Sequence, residues 1–461
     1  MSNWKHYLDD NQDRFLQDLI DFVGIPSISS SQEHFSDVVR AAEWVANRLT
    51  KSGIDNVEIL PTGNHPIVYG EHLETNEMPT VLIYGHFDVQ PVDPIELWDH
   101  PPFEPHLSNG RLYGRGGTDD KGSMLIPILA VEALLATEEV LPVNLKFLFE
   151  GQEEIGSPDL LDFLTAQRER LACDLVISAD GMQWDVNNPA IWVGLKGLCS
   201  LEIDVRGANQ DLHSGIHGGM VQNPIHVLAD LIASLRNSEG KITIEGFYDS
   251  VLDLTEGDRK RMALVPFSAE DEAKRLGINS LVSEPGYTPQ EHAWARPTVE
   301  VNGIWGGYQG DGTKTVLPNT AHAKITCRLV PNQNPIETIE AIQQHLESRV
   351  PPGVTVSVKP GREGASPYRI STNHPGNEIA HTVLEEVYGK EPYDVWTGGT
   401  IPFCALMLQQ LGVYTVNFGF QLEDEQLHAP NEFMRLANFH RGQNAYIRLL
   451  QTIGEKGLSV K

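Results

Sequence analysis

The residues best suited to chemistry in this chain are imidazoles and carboxylates that sit where apolar runs end. His86 and Asp88 follow Thr80-Val81-Leu82-Ile83-Tyr84, Glu153 and Glu154 follow the run from Val143 to Phe149, and Asp180 follows Asp174 to Ser178. Asp119 and Asp120 lie in Gly114-Arg115-Gly116-Gly117-Thr118-Asp119-Asp120-Lys121-Gly122. The glycines there permit a tight turn, and the adjacent carboxylates are presented at one point, as a cation site requires. One histidine or aspartate at a strand end is commonly a cap or a solvated turn residue, and Gly/Asp-rich turns commonly do no more than cap a helix. Several such ends together are harder to dismiss. In a doubly wound sheet the carboxyl ends of neighbouring strands converge, so groups distant in sequence can meet within metal-ligand reach.

Imidazole and carboxylate donors suit zinc or manganese, and a carboxylate has two oxygens, so one aspartate can bridge two ions held roughly 3.5–4 Å apart. His86 and Asp88 are two positions apart on an extended strand and face the same side, which lets Asp88 orient the His86 ring. Glu153 and Glu154 are adjacent and point differently, so one can ligate while the other serves the attacking water as general base. Two ions of sensible coordination need a further imidazole. Leu427-His428-Ala429-Pro430-Asn431-Glu432 can supply it; among 17 histidines His428 alone is a weak signal, but it follows a strand and precedes a helix.

Other chemistries lack support. A dinucleotide fingerprint would place its third glycine at Asp119, and no glycine of that stretch is followed by the lysine of a phosphate loop. Neither a His-Glu-x-x-His helix nor a Gly-x-Ser-x-Gly elbow occurs, which argues against single-zinc proteolysis of that kind and against serine hydrolysis.

These residues need elements to position them. A first amphipathic helix carries Leu8, Phe15, Leu16, Leu19, Ile20 and Val23, and a second carries Val38, Ala41, Ala42, Val45 and Leu49, closed by Gly53. Short β-rich runs follow at Val57 to Leu60, Ile67 to Tyr69 and Thr80 to Tyr84. Then come the Asp119 turn, a helix from Met124 to Leu135, the strand Val143 to Phe149, a helix after Pro158 and the strand Asp174 to Ser178. This alternation predicts an α/β fold with a mostly parallel sheet covered by helices on both faces. From Gly194 onward the pattern changes to longer gaps, a charged helical stretch (Ser268 to Leu276) and amphipathic strands such as Cys199 to Val205 and Thr320 to Leu329. We expect a catalytic domain made of 1–194 and 370–461 and an inserted α+β domain at 195–369. Past Pro367 the alternation resumes with helices near Asn377 to Tyr388 and Phe403 to Leu411, the strand Val413 to Phe418 and a helix after Asn431.

The 461 residues, 40% hydrophobic, can bury large cores, and a net charge of −29 disfavours nucleic acid or an anionic membrane as a partner. Small molecules are the expected partners. Cys173, Cys199, Cys327 and Cys404 are far apart with no paired spacing, so neither a disulfide framework nor a thiolate zinc site is expected. The N-terminal stretch lacks the basic-then-apolar layout of a signal peptide, and the most apolar run, Met124 to Ala136, is shorter than a membrane span. A cytoplasmic protein is the expectation.

His86-Phe87-Asp88-Val89-Gln90-Pro91, Trp98 with Pro102-Phe103, the Gly114 to Gly122 stretch, Glu150-Gly151-Gln152-Glu153-Glu154 and Asp211-Leu212-His213-Ser214-Gly215 together resemble the dinuclear zinc family of aminoacylases, glutamate carboxypeptidases, desuccinylases and dipeptidases. The resemblance runs over nearly the whole chain and is strongest to the carnosinase and cytosolic non-specific dipeptidase branch. It implies two divalent ions per chain, zinc first with manganese or cobalt as alternatives. Asp119 would bridge them, with His86 and Asp180 completing one site and Glu154 and His428 the other. Glu153 would be the base, Asp88 the orienter of His86, and Asp119-Asp120 a cis peptide. In the inserted domain Arg328 would bind the substrate carboxylate, and Thr315, Gly399 and Thr400 would line the substrate pocket. His213 would stabilise the oxyanion from the partner subunit of a homodimer joined through that lid domain; read without the family, it is a loop histidine beside glycines.

One position departs from the pattern. The dipeptidase branch commonly has a glutamate just before Gly398-Gly399, and this chain has Thr397. The expected activity is hydrolysis of the amide bond of dipeptides, with N-acyl or N-carbamoyl amino acids as the same-fold alternative and a non-catalytic small-molecule binding protein as the rival of another class.

Overall fold

The structure, a computed structural model, describes residues 3–458, apart from the side chains of Arg362 and Glu363. The chain divides into two compact units, one made of 1–193, 370–395 and 406–461, the other of 194–369 and 396–405. The segment Trp396–Ala405, which carries Gly399 and Thr400, thus groups with Arg328.

In the first unit, apolar β-branched runs assemble a mixed sheet. Its order is Asn56–Leu60, Ile67–His72, Asn144–Glu150, Thr80–His86, Leu175–Ser178, Thr415–Asn417 and then Ala190–Leu195, where the chain passes to the second unit. The centre is parallel: Thr80–His86 lies between Asn144–Glu150 and Leu175–Ser178, and Thr415–Asn417 runs parallel to the latter. The flanks are antiparallel; for Asn56–Leu60 and Ile67–His72 the connection is too short for a crossover helix.

The helix Lys121–Thr137 buries every residue from Lys121 to Leu134. A helix apolar on all sides must be enclosed; this one packs against Thr80–His86, against the amphipathic helix Asn3–Val23 and against Leu436–Lys456. Gly442 on the last of these allows the contact, since a Cβ there would stand 2.8 Å from Ile126.

The second unit is built on a four-stranded antiparallel sheet in the order Thr298–Gly306, Thr320–Leu329, Gly197–Arg206, Thr355–Ala365. Its two central strands alternate inward and outward residues. Cys199, Leu201, Ile203 and Val205 and, opposite them, Ala321, Ala323, Ile325, Cys327 and Leu329 form the core, against the helices Pro224–Ala233 and Pro335–Glu347. Cys199 and Cys327 are direct register partners with free thiols, a pairing that their 128-residue separation hides. Among the described residues no helix is long and apolar enough to cross a membrane.

Candidate metal centre

Strand register places the functional side chains. His86 ends the Thr80 strand and is paired with Glu150, the last residue of its parallel neighbour; Tyr84 is paired with Ser178, the last residue of the neighbour on the other side. The residues just past these ends, Asp88, Glu153, Glu154 and Asp180, therefore emerge along one edge of the sheet. The Asp119 turn is laid against the same edge. At Gly85 a Cβ would stand 2.7 Å from Asp120 Oδ2 and from Met124 Cγ, and at Gly122 it would stand 2.1 Å from the Gly117 carbonyl oxygen, so both positions exclude larger residues. The Asp119-Asp120 peptide is cis.

Two triads result. His86, Asp119 and Asp180 each offer a ligand atom within 4.8 Å of the others, and so do Asp119, Glu154 and His428. Asp119 is common to both. His86 Nε2 lies 3.2 Å from Asp119 Oδ1, while His428 Nε2 lies 3.0 Å from Asp119 Oδ2 and 3.3 Å from Glu154 Oε2. Each imidazole thus takes a different oxygen of one carboxylate. The His86 ring is held at its far nitrogen: Nδ1 is 3.1 Å from the Asp88 carbonyl oxygen and 3.5 Å from the Asp88 carboxylate. That carboxylate accepts the backbone N–H groups of Glu153 and Glu154, both at 3.1 Å, so Asp88 fixes the glutamate pair as well as the ring.

The electrostatics fit a divalent cation. Burial, opposed by His86 but reinforced by Asp119 and Glu154, pushes the Asp180 carboxyl up to about 6. Glu153 is raised well above the usual range by burial and by Asp180, Glu154 and Asp88 against the pull of His86. Glu154 is raised by burial and by Asp119. Burial works against the charged form of Asp119, yet hydrogen bonds to His428 and His86 hold its carboxyl below the usual range. His428 is raised to about 10 by Asp119 and Glu154. These carboxylates crowd together around the His86 and His428 rings, and metal cations at the two triads would relieve the repulsion. The donor set, imidazole nitrogen with carboxylate oxygen, is one that zinc, manganese or cobalt accepts.

An imidazole and carboxylate cage at the strand ends of an open α/β sheet is the arrangement of a metal-dependent hydrolase. The description "Peptidase family M20/M25/M40" matches residues 82–452, and the chain belongs to that family. Over 452 residues it is 33% identical to the Cys-Gly metallodipeptidase dug1 of Schizosaccharomyces pombe, covering 94% of each chain. It is 30% identical to the Beta-Ala-His dipeptidase of Mus musculus over 96% of this chain and 93% of that one. A solved M20 family metallo-carboxypeptidase, Sso-CP2 of Sulfolobus solfataricus, superposes with a TM-score of 0.83 at 33% identity, over 96% of this chain and 99% of that one. The protein is a metallopeptidase, an enzyme that hydrolyses peptides.

The remaining candidate residues lie in the second unit. Arg328 donates to the Thr400 hydroxyl at 2.8 Å, and that hydroxyl donates to the Lys196 carbonyl at 2.6 Å. No carboxylate partners Arg328 among the described residues. Gly399 is exposed, and its N–H donates to the Thr397 hydroxyl at 3.1 Å. His213 and Thr315 are exposed. His213 Nδ1 accepts the Gly215 N–H at 3.0 Å, and the Thr315 carbonyl accepts the Ser214 N–H at 3.0 Å.

Sequence reasoning gave no role to three polar side chains around the triads. Gln421 donates toward Asp120 (3.3 Å) and Asp180 (3.4 Å). Gln90 donates to the Glu154 carboxylate at 2.8 Å. Glu432 accepts the N–H groups of Thr118 and Asp119. Gln90 stands within the His86 to Pro91 motif and Glu432 ends the Leu427 to Glu432 stretch that supplies His428, whereas Gln421 had no local signal.

Proposed function

We propose that this metallopeptidase is a dinuclear dipeptidase that cleaves the amide bond of small substrates bearing a free carboxylate. The observation that carries this reading is Asp119, whose two oxygens face His86 on one side and His428 on the other, so that a single carboxylate serves two triads. His86 and Asp180 hold one ion and Glu154 and His428 the other, with zinc the first expectation and manganese or cobalt able to replace it. Such ions supply Lewis acidity toward the scissile carbonyl and make water a stronger nucleophile at neutral pH. Glu153 belongs to neither triad. Its carboxyl accepts a proton from the attacking water and delivers it to the departing nitrogen. The residue lies beside both triads, and its backbone N–H is held by the Asp88 carboxylate at 3.1 Å. Asp88 keeps the His86 ring and the backbone of the glutamate pair in place.

Arg328, buttressed by Thr400, binds the substrate carboxylate through charge-assisted hydrogen bonds, with Thr315 and Gly399 lining the same pocket. The inserted unit acts as lid and dimerisation element. His213 reaches the neighbouring subunit's site and stabilises the oxyanion. Free cysteines, Cys199 and Cys327 among them, fit a reducing cytoplasm. The related Cys-Gly and Beta-Ala-His dipeptidases support dipeptides as the substrate class. A second reading, hydrolysis of N-acyl or N-carbamoyl amino acids, is favoured by Thr397, a neutral side chain engaged with Gly399 where an acidic one would meet a substrate ammonium. Metal-loaded protein assayed against matched dipeptides and N-acyl amino acids decides between the two: faster turnover of the dipeptides supports the first, and turnover confined to the blocked substrates overturns it.

A further inference from the structure

The loop that carries His428 is held in a backbone conformation that needs external support. Gln426, His428 and Asn431 have φ values of 61°, 56° and 63°, in the left-handed region that side chains other than glycine rarely adopt. Such conformations persist where the surroundings over-determine them. The support comes from the turn that carries Asp119. Glu432, fully buried, uses Oε1 to accept the N–H groups of Thr118 and Asp119, both at 3.1 Å, and Oε2 to accept Arg115 Nη1 at 2.6 Å. Its own carbonyl oxygen accepts the Gly114 N–H at 2.9 Å. Arg115, also buried, donates to the Pro91 carbonyl at 3.1 Å and stacks over Trp98, 5.4 Å from the ring centre. The Asn431 side chain accepts the Asp99 N–H at 2.8 Å and donates to the Leu97 carbonyl at 3.2 Å. Glu425, at the other end of the loop, accepts the Thr118 hydroxyl at 2.7 Å.

We propose that Glu432 is a positioning residue that locks the Asp119 turn and the His428 loop into one frame, so that the carboxylate shared by both triads and the imidazole of the second keep a fixed separation. The inference rests on the dinuclear metallohydrolase reading above. Glu432 touches neither ligand side chain; it acts through the Asp119 backbone and through Arg115. Because Asp119 serves both triads, loosening this frame weakens both ions together. Groups that orient metal ligands in this way typically contribute about ten- to a hundred-fold in metal affinity.

The test uses full-length protein stripped of metal and titrated with Zn²⁺ against a chromophoric chelator, beside thermal melts of the metal-free form. Glu432→Gln keeps the shape but removes the charge that balances Arg115. We expect both Zn²⁺ affinities to fall by about ten-fold or more, and kcat at saturating metal to fall while KM holds, since the substrate carboxylate is bound elsewhere. The comparator is Glu132→Gln. Glu132 is also a buried carboxylate, and it pairs with Arg14 and Arg48 away from both triads, so this change should lower the melting temperature without moving Zn²⁺ affinity. Unchanged Zn²⁺ affinity in Glu432→Gln, or a loss confined to one ion, overturns the shared frame. Should Glu432→Gln not fold, Arg115→Lys keeps the charge and drops the Pro91 contact; a several-fold weaker affinity supports the role, and wild-type affinity refutes it. Wild-type protein that binds no Zn²⁺ would instead sink the metallohydrolase reading itself.

Discussion

Replacing Glu153 by glutamine separates proton transfer from metal binding. The side chain keeps its length and its backbone N–H remains bound to Asp88 at 3.1 Å, so the position of the residue is preserved while its ability to accept a proton is lost. A general base contributes about 10²- to 10⁴-fold, and at about 1.4 kcal/mol per decade this corresponds to roughly 3–5 kcal/mol of transition-state stabilisation. Metal content should change little, because the two triads are completed by His86, Asp119, Asp180, Glu154 and His428 without Glu153. Asp119→Ala makes the contrast: both triads lose their common member, and metal should leave together with activity. The assay is turnover of a dipeptide at saturating zinc, with elemental analysis of the same samples after desalting. Turnover in Glu153→Gln within ten-fold of wild type would remove the general-base assignment. Equal metal loss in the two variants would mean that the roles of Glu153 and Glu154 are interchanged.

Three further outcomes are expected. Exhaustive chelation should abolish hydrolysis, and added zinc, manganese or cobalt should restore it, as a set of imidazole and carboxylate donors accepts each of these ions; full turnover in protein shown to be metal-free refutes the mechanism. Amidating the substrate carboxylate should penalise wild type about ten- to a hundred-fold more in kcat/KM than Arg328→Ala, since a charge-assisted hydrogen bond contributes roughly 1.5–3 kcal/mol; equal penalties would move Arg328 out of the substrate site. If His213 completes the neighbouring subunit's site in a dimer, mixing His213→Ala with Glu153→Ala subunits should return about a quarter of wild-type activity from two nearly inactive parents, because about half the dimers would be mixed and each of those would keep one intact site. No recovery after subunit exchange is confirmed by native mass spectrometry would place His213 in its own subunit's chemistry.

The sequence by itself determined which residue types stand at the ends of which strands. Thr80 to Tyr84 is legible because a strand buried on both faces reads as a nearly continuous apolar stretch, and Val143 to Phe149 because its apolar residues persist around Asn144 and Lys146; the polar residues that follow, His86, Asp88, Glu153 and Glu154, are conspicuous against them. The alternating strands Gly197–Arg206 and Thr320–Leu329 are legible for the complementary reason, one face being buried and the other solvated. The runs Val57 to Leu60 and Ile67 to Tyr69 were legible as strands but not their antiparallel direction, and Ala190–Leu195, Thr298–Gly306 and Thr355–Ala365 carried weaker patterns, the last two being the edges of the second sheet. What only the tertiary structure decided is which distant groups meet. Strand register brings Asp180 to His86, and loop closure brings His428 to Asp119, 309 positions away. It seats Glu432 beneath the Asp119 turn with Arg115, and Cys199 opposite Cys327. It also gathers Trp396–Ala405 with Arg328. No local propensity encodes these encounters. They follow from the order in which strands join a sheet, and that order is set by the burial of whole faces and not by any stretch of sequence on its own.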